Sequence, residues 1–117
     1  MITCKEGVHF RVMRRELLHL LQAADLVFNW HHTDCIVTSG TDSHPPDDPH
    51  FNGYAADFRT HHITDPGVKQ AIVTQLQTEA GDDYYVFLEA PGTSNEHIHS
   101  QTRKGLWQQL MDKEGKV

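Results

Sequence analysis

Residues 11–28 (RVMRRELLHLLQAADLVF) repeat Leu17, Leu20, Leu21, Ala24, Val27 and Phe28 at helical spacing. A helix with such an apolar stripe is held in place only when another element covers the stripe. The rest of the 117-residue chain must supply that cover within one domain. Its remaining segments are short. Cys35 to Ser39 is β-branched and closed by Gly40, which predicts a strand. From Thr41 to Asn52, Pro45, Pro46 and Pro49 and three Asp residues predict a loop. Tyr54 to Arg59 predicts a short strand with Ala55, Asp57 and Arg59 on one face and Ala56 and Phe58 on the other. Thr64-Asp65-Pro66 starts a helix, Val68, Ala71, Ile72 and Leu76 form its stripe, and Gly81 stops it. Tyr84 to Glu89 and Glu96 to Thr102 form a hairpin across the turn at Pro91 and Gly92, and Leu106, Trp107, Leu110 and Met111 give a closing helix. The order α-β-β-α-β-β-α predicts a single α+β domain spanning 1–117, with a small, mainly antiparallel sheet and flanking helices.

Charge narrows the function classes. Ten basic residues against sixteen acidic ones give a net charge of -6. That argues against a general nucleic-acid binder, which must neutralise phosphates, and against an electrostatic membrane anchor. No apolar run approaches the roughly 18 residues of a membrane span, and no secretory signal is legible, so a cytoplasmic product is expected by default, with release to the cell wall as the other route. Cys4 and Cys35 make no disulfide framework and are expected as free thiols. Histidine is the anomaly: its ten residues equal Lys and Arg combined. His31-His32 and His61-His62 sit at element ends and are expected in solvent, His9 and His19 at the edge of packing, and His44 in the acidic loop.

Two clusters carry chemistry. The first is His50-Phe51-Asn52-Gly53-Tyr54-Ala55-Ala56-Asp57, and the second is Glu96-His97-Ile98-His99. On a strand, His97 and His99 share a face, because the side-chain period is two. Facing a strand that carries Asp57, they offer imidazoles and a carboxylate, a ligand set suited to zinc with a position left open for water. Gly53 is expected either to serve a turn or to bend the backbone so that His50 returns beside Asp57.

The first cluster fits H-x-x-G-x-A-x-D and the second contains H-x-H. With Val37-Thr38-Ser39-Gly40 upstream, residues 35–102 resemble the zinc D-Ala-D-Ala carboxypeptidases and dipeptidases. That fold is shared by phage L-alanyl-D-glutamate endolysins and by the hedgehog signalling domain. The resemblance implies a hedgehog/DD-peptidase-like fold, with Zn2+ held by His50, Asp57 and His99 and with His97 contacting substrate or transition state. It implies a metallopeptidase that hydrolyses an amide bond in peptidoglycan stem peptides or small D-amino-acid peptides.

Two carboxylates compete to be the proton shuttle. Glu96 precedes His99 by three residues, as an acidic residue does in the bacterial peptidases, while Glu89 ends the preceding strand, as a Glu does in hedgehog domains. Residues three apart on a straight strand face opposite sides, so Glu96 needs a bend to reach the metal and Glu89 does not. That favours Glu89 and leaves Glu96 open. The bacterial peptidases often carry an arginine after Ser-Gly to bind substrate. Here Ser39-Gly40 is followed by Thr41-Asp42-Ser43-His44, with no arginine; Arg59, two residues after Asp57, is expected in a surface salt bridge, with substitution for that arginine in substrate binding as the other reading. The missing arginine keeps a rival open: a catalytically silent zinc domain of this fold, acting as a binding module.

Overall fold

A computed structural model describes residues 1–40, 49–50 and 52–115. Thr41 to Asp48 of the expected loop, His44 among them, and Phe51 lie outside the described residues. The elements are β1 (Ile2–Cys4), α1 (Arg15–Trp30), β2 (Cys35–Ser39), β3 (Ala55–Arg59), α2 (Pro66–Ala80), β4 (Tyr84–Glu89), β5 (His97–Thr102) and α3 (Lys104–Gly115). The chain is α+β, with one five-stranded sheet in the order β1-β2-β3-β5-β4. β1 runs parallel to β2 and every other neighbour is antiparallel.

The strands divide apolar from polar residues by their alternation. Along β4, Tyr84 and Val86 are buried while Tyr85 and Phe87 are exposed. Ala56 and Phe58 of β3 and Ile98 of β5 point the same way as Val86, into a core closed by Leu17, Leu20, Ala24, Val27 and Phe28 of α1 and by Ile72 and Leu76 of α2. Phe28 meets Phe58 with ring centroids 5.8 Å apart. The stripe on α1 is therefore covered by one face of the sheet, with α2 beside it. The other face presents Asp57 and Arg59 of β3, His97, His99 and Gln101 of β5, and Tyr85, Phe87 and Glu89 of β4.

Two boundaries differ from the sequence expectation. β1 was not expected, since three residues carry no readable alternation; Ile2, Thr3 and Cys4 become a strand by pairing with Cys35, Ile36 and Val37. α1 begins at Arg15 rather than at residue 11. The preceding residues are drawn into other contacts: Arg14 Nε donates to the Asn52 carbonyl at 3.1 Å, and the Val12 carbonyl lies against Gly53. α2 starts as read, with the Asp65 carboxylate accepting from Gly67 N at 2.8 Å and Pro66 in the first turn. α3 lies outside the main core and packs Trp107 on Tyr54, ring centroids 6.1 Å apart. Among the described residues no helix is long and apolar enough to cross a membrane. Both cysteines are free, and burial pushes the Cys35 thiol up to about 12, which leaves it unreactive.

Gly53 is required by its backbone. Its φ is +80°, and a Cβ there would stand 2.6 Å from the Val12 carbonyl oxygen. Gly53→Ala is therefore expected to cost about 2 kcal/mol or more, from left-handed strain plus the clash. Urea unfolding of the variant against the parent chain checks this.

Candidate metal centre

β3 and β5 pair in a register that sets Asp57 opposite His99, Arg59 opposite His97 and Ala55 opposite Gln101. This delivers a carboxylate and an imidazole to neighbouring positions on the outer face. His50 comes from outside the sheet, on a turn closed by Gly53 N to the His50 carbonyl at 3.1 Å and Tyr54 N to the Pro49 carbonyl at 2.8 Å. β2 contributes an irregularity: Val37 faces Phe58 and Ser39 faces Asp57, so Thr38 is an extra residue beside the site.

Three ligand atoms converge there. His99 Nδ1 is 2.9 Å from Asp57 Oδ1, His50 Nε2 is 3.2 Å from the same oxygen, and the two ring nitrogens are 3.3 Å apart. A tetrahedral ion with bonds of about 2.0–2.1 Å needs ligand atoms about 3.3 Å apart. The triangle is thus close to one face of such a tetrahedron. All three residues are buried, with exposures of 4%, 8% and 8% for His50, Asp57 and His99. The cluster could hold a metal ion.

The supporting contacts agree with that use. Gln101 Oε1 accepts from His99 Nε2 at 2.8 Å, which turns His99 Nδ1 towards Asp57. Such an outer partner selects the tautomer that offers its other nitrogen to a metal. Phe87 packs on the His99 ring at 5.1 Å and shields its flank. Burial opposes ionisation of Asp57, but hydrogen bonds from His50 and His99 and their charge outweigh it and hold the carboxyl well below the usual range. Burial likewise opposes the His99 imidazolium. Hydrogen bonds to Asp57 and Gln101, with the charges of Asp57 and Glu89, overcome it and raise His99 above its ordinary value. One carboxylate oxygen and two ring nitrogens crowded together need positive charge among them. Without an ion a proton supplies it, and a divalent cation would displace that proton.

Beside this triangle lies a second, looser group of Glu89, His97 and His99. His97 Nδ1 donates to the Asn95 carbonyl at 2.6 Å, which fixes the ring. Its Nε2 then lies 3.0 Å from Glu89 Oε1 and 3.6 Å from Asp57 Oδ2. The Glu89 side chain is 45% exposed, so it meets solvent and the cluster at once.

Glu96, the other candidate shuttle, is not brought to this group. Its Oε1 accepts from Thr60 and Lys69, each at 2.6 Å, and its Oε2 accepts from Gly92 N at 2.8 Å. Glu96 lies one residue before β5, and its carboxylate turns to Lys69 of α2. The Gly92 amide foremost, then Lys69 and Thr60, hold it down at about 2. Of the histidines expected in solvent, His32 and His61 are exposed and His31 and His62 half-buried, and three of them make hydrogen bonds. His31 bonds Gln75 at 2.8 Å, His61 donates to the Ser94 carbonyl at 3.0 Å and His62 to the Asp34 carbonyl at 2.8 Å. Gln101 escaped the sequence reading, although its place two residues after His99 put it on the same face. No family model, curated protein or solved structure matches this chain.

Two expectations follow from these contacts. Gln101→Ala is expected to weaken metal affinity roughly 10- to 100-fold while the fold persists; competition titration with a chelating dye measures it. Glu96 is ionised in the fold well below its ordinary 4.5. Its stabilisation is therefore complete above about pH 4.5 and disappears as pH falls through about 2. Glu96→Gln should lose roughly 2 kcal/mol at pH 7 and show a flatter acid limb in a series of urea melts.

Proposed function

We propose that this chain is a minimal zinc peptidase of the D-Ala-D-Ala carboxypeptidase type, with a hedgehog/DD-peptidase-like fold. It acts on an amide bond in a peptidoglycan stem peptide or a small D-amino-acid peptide. The observation that carries the reading is the triangle of His50 Nε2, Asp57 Oδ1 and His99 Nδ1, with edges of 2.9–3.3 Å. Two nitrogens and one oxygen are a zinc ligand set that leaves a fourth position open. The order in which they occur, within H-x-x-G-x-A-x-D and then H-x-H, is the order in that family.

Zinc held by His50, Asp57 and His99 would supply Lewis acidity to polarise a substrate carbonyl and acidify a water. The chain's own residues do the rest. Glu89 reaches the outer face from the end of β4 with a partly solvated carboxylate. It takes the proton of the attacking water and returns it to the leaving amine. His97 is oriented by its bond to the Asn95 carbonyl. With both nitrogens protonated, its Nε2 would donate to the developing oxyanion, where a positioned donor acts most strongly. Asp57 contributes one oxygen to the ligand triangle and keeps Oδ2 towards His97.

The purified chain is expected to carry about one zinc per molecule by elemental analysis. His50→Ala, Asp57→Ala and His99→Ala should each lose it, and full retention in all three sinks the assignment. Glu89→Gln should keep zinc and lose roughly 10²–10⁴-fold in turnover of acetylated D-Ala-D-Ala or L-Ala-D-Glu peptides. A zinc-loaded chain that cleaves none of these peptides is instead the silent binding module.

A further inference from the structure

Glu89 and His97 also belong to a second ligand set, and its chemistry turns on one hydrogen bond. His97 Nδ1 donates to the Asn95 carbonyl at 2.6 Å, so in the neutral ring Nε2 carries the lone pair. That nitrogen is aimed between two carboxylates, with Glu89 Oε1 at 3.0 Å and Asp57 Oδ2 at 3.6 Å. An imidazole anchored through one nitrogen, with the other facing oxygen ligands, is presented as metal-ligating histidines are. The two separations bracket the roughly 3.3 Å between ligand atoms around a tetrahedral ion. His99 adds nothing to this set, because its Nδ1 is in the first triangle and its Nε2 donates to Gln101. Asp57 adds its second oxygen, since Oδ1 is the one that meets His50 and His99. Among the described residues no lysine or arginine pairs with these oxygens. Arg59 stands opposite His97 in the register, yet it forms no ion pair there, so the surface salt bridge expected of it is not made among the described residues.

We propose that Glu89, His97 and Asp57 Oδ2 form a second, weaker zinc site, with Asp57 bridging the two ions, and that filling it stops the peptidase. One imidazole and two carboxylate oxygens lie within the ligand range of zinc, whereas calcium and magnesium favour all-oxygen cages. The second site is the weaker for two reasons. Its side chains are more open to water, at 45% for Glu89 and 21% for His97, against 5% for His50 and 10% for His99. It also shares the charge of Asp57 with the first ion, and the two cations repel each other. Occupancy removes both groups that serve the reaction. A Glu89 oxygen bound to an ion no longer takes a proton from water, and a ligating His97 Nε2 has no hydrogen to give an oxyanion. The chain is then active with one zinc and silent with two, so the free zinc concentration sets its activity. The inhibition rests on the peptidase reading; the second site does not.

The test separates the two. The full chain is dialysed to equilibrium against chelator-buffered free zinc, and zinc per chain and hydrolysis of acetylated D-Ala-D-Ala are measured on the same samples. Binding is expected in two plateaus, at about one and then about two zinc per chain. Hydrolysis should rise over the first and fall roughly 10²-fold or more over the second, as the proton shuttle is lost. Glu89→Gln and His97→Ala should each lose the second plateau and keep the first, which also reports that the variant is folded. A single plateau in the parent chain overturns the second site, and so does a second plateau that survives in both variants. Calcium that displaces the second zinc as readily as zinc itself overturns the zinc assignment. Hydrolysis unchanged across the second plateau overturns the inhibition. Two plateaus without hydrolysis at either level keep the pair of sites and lose the peptidase, hydrolysis with one plateau does the reverse, and no zinc at any level overturns both.

Discussion

Everything at the candidate centre depends on the register between β3 and β5. Asp57 faces His99 there, and the neighbouring pair, Phe58 and Ile98, faces the helices. The side-chain period of a strand is two, so one register serves both ends. A slip of β3 by a single residue would turn Phe58 to solvent and push Asp57 into the core. The apolar cost of that slip protects the geometry of the polar side. The α1 stripe and the ligand triangle are thus opposite consequences of one pairing.

The outer face combines groups that are unfavourable alone. A buried carboxylate costs several kcal/mol unless it is paired and hydrogen-bonded. Asp57 meets that condition through His50 and His99, and His99 through Asp57 and Gln101. No member can be removed without leaving a neighbour uncompensated. A bound divalent cation would relieve the crowding, so ion binding and folding stability are linked in the same atoms. The sheet also separates two carboxylates that stand close in sequence to the histidines. Glu89 remains beside His97 at the mouth of the cluster, whereas Glu96 is spent on the turn from Gly92.

Local chemistry made much of this readable. The α1 stripe, the Asp65-Pro66 start of α2, the alternation of β4 and the shared face of His97 and His99 all follow from periodicity and capping. The pairing of Gly53 with a bend near His50 was legible too, although its closeness to Val12 was not. β1 was invisible because three residues have no pattern until a partner strand gives them one. The delayed start of α1 was hidden for a similar reason: residues 12 and 14 have helical neighbours in sequence and non-helical contacts in space.

By itself, the sequence determined an α+β chain whose outer strand positions carry His97, His99 and Asp57, because alternation and capping act over a few residues. Only the tertiary structure decided which carboxylate stands at the cluster, that Gln101 orients His99, and that Asp57 keeps Oδ2 towards His97. Those outcomes depend on strand order and register. Each is set by contacts between segments far apart in the chain, where no local preference reaches.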